Sequence, residues 1–123
     1  MPKPPQRVYQ VKVTLRESKP PIWRRLLVSA ATPLSRFHEI LQVSMGWTDS
    51  HLHQFEAGGV VYGMKNEDLD FGFEVRDERK ARLEQLLRKV GDRLHYEYDF
   101  GDGWGHEVRL ERILAPEPGQ RYP

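Results

Sequence analysis

At 123 residues, with 30% charged and 11% aromatic side chains, the chain is long enough to bury a core without cross-links, and its composition is that of a folded domain rather than a disordered segment. It has no cysteine, which excludes a disulfide framework, a thiolate metal site and a cysteine nucleophile. The formal net charge of +1 does not in itself indicate a nucleic-acid partner, but its distribution is uneven: residues 1–38 carry eight basic side chains against Glu17 alone, leaving the rest net acidic.

The opening Met1-Pro2-Lys3-Pro4-Pro5 lacks the apolar centre of a signal peptide, and no run approaches the roughly 18–20 apolar residues of a membrane span. A cytoplasmic protein without membrane contact is the expectation. Val8–Arg16 alternates, with Val11, Val13 and Leu15 on one face and Gln10, Lys12, Thr14 and Arg16 on the other, so it reads as a half-buried strand. Prolines 20 and 21 end it. Ile22–Ser29 follows with Ile22, Leu26 and Val28 inward and Trp23 and Leu27 opposite. Apolar residues on both faces predict a strand that lies centrally or beneath a helix.

Thr32-Pro33 predicts a helix start, threonine as N-cap and proline at the first helical position. Leu34, Phe37, Ile40, Leu41 and Met45 recur at helical spacing, His38 borders that stripe, and Gly46 stands where a left-handed C-cap belongs. His51–Glu56 reads as a strand, joined through Gly58-Gly59 to Val60–Gly63 as a hairpin. Residues 64–80 are charge-dense and read as a long exposed loop. Leu83, Leu86 and Leu87 predict a short helix ended by Gly91.

The densest stretch is Tyr96–His106, Tyr-Glu-Tyr-Asp-Phe-Gly-Asp-Gly-Trp-Gly-His. Its alternation places Leu94, Tyr96, Tyr98 and Phe100 on one face and His95, Glu97 and Asp99 on the other, with a glycine-dependent turn leading to a last strand ending near Leu114. The elements run β-β-α-β-β-α-β-β. They predict an α+β fold over 1–123, with a mainly antiparallel sheet of about six strands, one main helix, one short helix, and flexible ends at 1–6 and 116–123.

Two sets of residues carry chemistry. His51 and His53 would share one face of a strand about 7 Å apart, a spacing that suits two ligands of one divalent ion such as zinc or manganese. Asp99, Asp102 and His106 would complete the site, and pairing of the two strands could bring His51, His53, His95 and Asp99 to one face. A hydrolytic version would use Glu97 or Asp99 as general base. Against this, Asp beside Gly is what a turn requires, and His106 could simply bond across the hairpin. The second set is Lys12, Arg16, Trp23, Arg24 and Arg25, cations beside an indole that suit phosphates and stacked bases. Trp47 and Trp104 read instead as closing core edges.

Other motifs fail. Asp99-Phe100-Gly101 has no glycine-rich or catalytic loop before it, Asp99–Gly103 lacks the acid spacing of a calcium loop, and no serine stands in a nucleophile elbow.

Four stretches in order, Pro20-Pro21-Ile22-Trp23-Arg24-Arg25, Met45-Gly46-Trp47, His51-Leu52-His53-Gln54-Phe55 and Tyr96–His106, resemble the plasmid pRiA4b ORF-3-like family from about Val8 to Leu114. The resemblance implies an α+β fold with a curved sheet and an association with mobile elements; members of the family commonly continue past the position of Pro123 into a cysteine-containing segment that this sequence lacks. It implies no established mechanism. With no complete catalytic set, the reading is a non-enzymatic accessory module that binds a protein or a nucleic acid. The rival is the metal-binding, hydrolytic domain centred on His51, His53, Asp99, Asp102 and His106.

Overall fold

The computed structural model describes residues 7–16, 20, 22–46, 53–63, 75–98 and 104–116. The strands are β1 (Val8–Leu15), β2 (Ile22–Ser29), β3 (His53–Ala57), β4 (Val60–Gly63), β5 (Val75–Asp77), β6 (Arg93–Tyr98) and β7 (Trp104–Leu114). They form one sheet in the order β2-β1-β7-β6-β3-β4-β5. Every neighbouring pair is antiparallel except β4–β5, which is parallel, so the sheet is mixed. It has seven strands rather than about six, because β5 forms within the stretch expected to be a loop.

One face of the sheet is covered by the helices α1 (Leu34–Met45) and α2 (Leu83–Leu86). Alternation decides what meets them. Tyr9, Val11, Val13, Phe55, Leu94, Tyr96, Tyr98, Val108 and Leu110 pack with Leu34, Phe37, Leu41, Leu83 and Leu87. Burying each large apolar side chain here contributes about 1.5–3 kcal/mol. The Phe37 and Phe55 rings, from α1 and β3, stack with centroids 6.1 Å apart. Tyr9 is fully buried, and its hydroxyl donates to the Leu87 carbonyl at 2.7 Å.

Two turns follow the sequence closely. Gly46 sits at φ 75°, and its N–H closes onto the Gln42 and Val43 carbonyls at the end of α1. Gly58 and Gly59 are at φ 58° and 81°, the paired positive values that a two-residue hairpin between β3 and β4 demands.

The other differences have identifiable causes. β2 is an edge strand, not a central one. Among the described residues its second apolar face meets no helix: Trp23 and Leu27 remain 44% and 43% exposed. At the start of α1 the N-cap position is Pro33, without a side-chain cap. Thr32 Oγ1 instead donates to the Ser29 carbonyl at 2.6 Å. The first helical N–H groups find carbonyls from a neighbouring segment, Leu34 on Ala81 at 2.9 Å and Ser35 on Glu78 at 3.3 Å. The second helix is one turn long. Residues 1–6 and 117–123, and the glycine turn at 101 and 103, lie outside the described residues.

Candidate functional site

On the covered face, β3, β6 and β7 place three polar rings side by side. The register sets His53 opposite Tyr98, Phe55 opposite Tyr96, and Tyr96 opposite His106, so His53, Tyr96 and His106 all point toward the helices. From α1, His38 lies flat on His53, ring centroids 3.5 Å apart and planes within 7°. His53 Nε2 donates to Glu78, 2.7 Å from Oε2 and 3.0 Å from Oε1, and both side chains are about 95% buried (3% and 5% exposed). Gln42 Nε2 donates to the Tyr96 hydroxyl at 2.8 Å, and the same hydroxyl shares a hydrogen bond with His38 Nδ1 at 2.6 Å. His106 Nδ1 donates to the Tyr96 carbonyl at 3.2 Å, because a carbonyl can only accept.

This cluster bears on the metal reading. Of its five residues, His51, Asp99 and Asp102 lie outside the described residues. His53 and His106 share the buried face, but His53 Nε2 is held by Glu78 and His106 turns Nδ1 to backbone. Among the described residues no group of three or more His, Cys, Asp or Glu side chains is placed to hold a metal ion. His95 was expected to join His53 on one face if the strands paired. They do pair, yet the register sends His95 to the opposite side, facing Glu56 and Glu107. The metal centre is therefore not supported. Glu78 is the residue that sequence reasoning missed, whereas His38, read as bordering the apolar stripe of α1, is buried there. Glu78 was read within an exposed loop, and only the β4–β5 pairing folds it inward, its N–H bonded to the Gly63 carbonyl at 3.0 Å.

The open face of the sheet carries a different arrangement. Arg25 pairs with Lys12, Lys12 with Arg109, and Arg109 with Arg93, so four cations stand in one transverse row across β2, β1, β7 and β6. With strands about 4.8 Å apart, the row spans roughly 14 Å. Two members have counterions. Arg25 Nε lies 2.7 Å from Glu111 Oε1, a carboxylate that also accepts from Gln10 Nε2 at 3.2 Å. Arg93 Nη1 lies 3.0 Å from Glu107 Oε1. Glu111 is the extra residue where the β1–β7 register shifts, which is why it can reach Arg25. The bond from Arg25 holds the Glu111 carboxyl below its usual range. Lys12 and Arg109 have no carboxylate partner among the described residues.

At the β2 end of the row, Lys12 Nζ sits 4.9 Å and Arg25 Cζ 5.3 Å from the Trp23 ring centroid. Of the expected partner-binding residues, Lys12, Trp23 and Arg25 thus come together. Arg24 faces the other way. Its Nε donates to the Ser44 carbonyl at 3.3 Å, near the C-terminus of α1, where a cation suits the helix dipole. Arg16 lies beyond the end of β1, its N–H bonded to the Gly105 carbonyl at 2.8 Å. Arg93 and Arg109 were missed because they stand about 70–100 residues from Lys12 and Arg25, and only the register unites them. The side chain of Trp104, and all of Trp47, lie outside the described residues.

A family model described as plasmid pRiA4b ORF-3-like protein matches residues 7–123. The chain is 41% identical over 117 residues to the uncharacterized protein y4hQ of Sinorhizobium fredii, an alignment that takes in 94% of this chain and 59% of that protein. It thus spans less than two thirds of that relative's length. Among solved structures it is similar to a crystal structure of a protein of unknown function, MM3350, from Methanosarcina mazei. The two share a TM-score of 0.85 and 34% identity over 99% of this chain and 69% of that one. No helix among the described residues is long and apolar enough to cross a membrane.

Proposed function

The chain belongs to the plasmid pRiA4b ORF-3-like family, and from that premise we propose that it is a non-enzymatic binding module whose open sheet face receives a single-stranded nucleic acid. The observation that carries this reading is the in-register row Arg25–Lys12–Arg109–Arg93 with Trp23 at its end. Like charges directly opposite one another on a sheet are destabilising. Two unit charges 5 Å apart repel by about 0.8 kcal/mol even in bulk water. Two carboxylates offset four cations, so the row retains an excess of positive charge that a phosphate backbone would neutralise. Trp23, 44% exposed between two cations, adds a ring on which a base can stack. That combination of phosphate partners and a stacking surface favours a nucleic acid over a purely acidic peptide.

The test is fluorescence anisotropy with a labelled oligothymidylate over a salt series. Four phosphate contacts predict a slope of log K against log salt of roughly −3, at about −0.7 per contact for a single strand. Lys12→Glu with Arg109→Glu should abolish binding, and Trp23→Ala should weaken it about tenfold through lost stacking. Arg24→Gln should leave affinity unchanged in a folded protein. Binding of poly-L-glutamate but no oligonucleotide, with the same dependence on Lys12 and Arg109, would replace the nucleic acid by an acidic protein partner.

A further inference from the structure

Beside the cation row, on the same open face, a cavity of about 370 Å³ is lined by Arg16, Gln54, Glu56, His95, Glu97 and Gly105, together with Tyr96. The register explains its floor. Gly105 of β7 is opposite Glu97 of β6, which is opposite Gln54 of β3, which is opposite Gly63 of β4. Two side chains are thus flanked on either side by glycine, and the adjacent row contributes His95 and Glu56 as a wall.

Gly105 is the informative position. It is the second residue of the 11-residue strand β7, already paired with Glu97, where glycine weakens the sheet. It is not among the glycines at positive φ, so its backbone does not require glycine. A Cβ there would meet only Arg16 Cδ, at 3.5 Å, an ordinary contact, so packing does not require it either. What a side chain would take away is the space above the strand. Close approach of a ligand is one of the reasons a strand holds glycine, and it is the one consistent with the open space here.

The lining is chemically uncommitted. Among the described residues the side chains of Arg16, Gln54, His95 and Glu97 make no hydrogen bond or ion pair with one another or with their neighbours. Glu56 uses one oxygen, Oε1, to accept the Gly59 N–H at 3.0 Å. The guanidinium of Arg16 and the carboxylates of Glu56 and Glu97 sum to a charge of −1. The volume falls within the range of small-molecule sites, about 300–1,000 Å³.

We infer that this cavity is a site for a small amino acid carrying a second cation, of the lysine or arginine type. The ligand's carboxylate pairs with Arg16, and its two cationic groups pair with Glu97 and Glu56. These charges then cancel, and Gln54 and His95 supply further hydrogen-bonding groups. The site is independent of the cation row, because neither Lys12 nor Arg109 lines it.

Isothermal titration with L-arginine and L-lysine tests the assignment, with agmatine as the carboxylate-free control and L-glutamate as the wrong-charge control. The expected result is binding of the two dibasic amino acids, with agmatine weaker by about tenfold or more and no signal from L-glutamate. Glu97→Gln and Arg16→Gln should each reduce affinity by about tenfold, and Gly105→Leu should abolish it. The two polar variants are surface changes that retain the fold, so they report even if Gly105→Leu melts early. Lys12→Glu with Arg109→Glu should leave amino-acid binding intact. Absence of binding by both amino acids would overturn the proposal, as would agmatine binding as tightly as L-arginine.

Discussion

Strand β6 shows two chemistries one residue apart. Toward the helices, Tyr96 is the centre of a buried polar set: Gln42 donates to its hydroxyl, the hydroxyl meets His38, its carbonyl accepts from His106, and His38 stacks on His53, which Glu78 holds. Toward the open side, Arg93, His95 and Glu97 face a row of cations and a cavity lined by uncommitted groups. The difference teaches how each face should be read. Buried polar groups must be matched for the chain to fold at all, so a matched buried cluster is first a statement about stability. On an open face water satisfies every group, and folding alone places no demand there. Four cations in register, or a strand glycine that neither backbone nor packing requires, are therefore the better pointers to function.

The largest expected effect lies on the covered face. Glu78→Ala leaves the His53 N–H without its carboxylate in a site that water does not reach. Leaving a buried hydrogen-bonding group without its partner costs about 1–3 kcal/mol. Urea denaturation should show a loss of that order, with the oligothymidylate affinity of the remaining folded fraction unchanged. A loss below about 1 kcal/mol would mean that the pair is not a closed structural element, and the contrast between the faces would fail.

The open face should respond with the opposite sign. Lys12→Glu with Arg109→Glu removes two of the four aligned cations and turns the two outer like-charge pairs, with Arg25 and with Arg93, into attractive ones, while the central pair stays like-charged. Cross-strand charge pairs are worth about 0.2–1 kcal/mol each, so the variant should be as stable as the parent or slightly more stable in the same urea titration. It is the same variant expected to lose nucleic-acid binding. A substitution that stabilises while it abolishes binding is the signature of residues kept for a partner. If it destabilises by more than about 1 kcal/mol, the row serves the fold instead.

How much of this was legible in the sequence depended on the range of the interaction. Period-two alternation correctly faced Val11, Val13, Leu94, Tyr96 and Tyr98 inward, because strand geometry is local. Gly46 and Gly58-Gly59 announced their turns for the same reason. The expectation of a central β2 failed because apolar residues on both faces describe a strand's surfaces and not its neighbours. Here Trp23 is partly sheltered by Lys12 and Arg25 rather than by a helix. Glu78 was invisible since its partner His53 is 25 residues away and reached through a parallel β4–β5 pairing with no local signal. The His-x-His spacing suggested a metal for a real reason, two imidazoles on one face, but register gave His53 to Glu78 and sent His95 outward. The cation row was half legible, Lys12 and Arg25 from the basic first third, while Arg93 and Arg109 required the strand order.

The smallest expected effect concerns acid. Asp77, at the end of β5, has its carboxyl pulled down to about 2, first by the side-chain bond from Arg79 and then by the Arg79 backbone N–H. A carboxyl lowered in the folded state stabilises fully above its unfolded value, near 3.9, and loses that contribution as pH falls through its folded value. Asp77→Asn should therefore lower the melting temperature slightly at neutral pH, and the gap between variant and parent should close between about pH 4 and pH 2. A gap that stays constant down to pH 2 would show that the amide's shape, not the lost charge, is responsible. Glu111 titrates in the same direction, since the bond from Arg25 lowers it too. Its protonation, however, strips the cation row of a counterion. On the open face acid thus removes a favourable pair and adds repulsion at once, so Glu111→Gln should mimic at neutral pH what acid does to the parent, and it should tighten oligothymidylate binding while it costs stability.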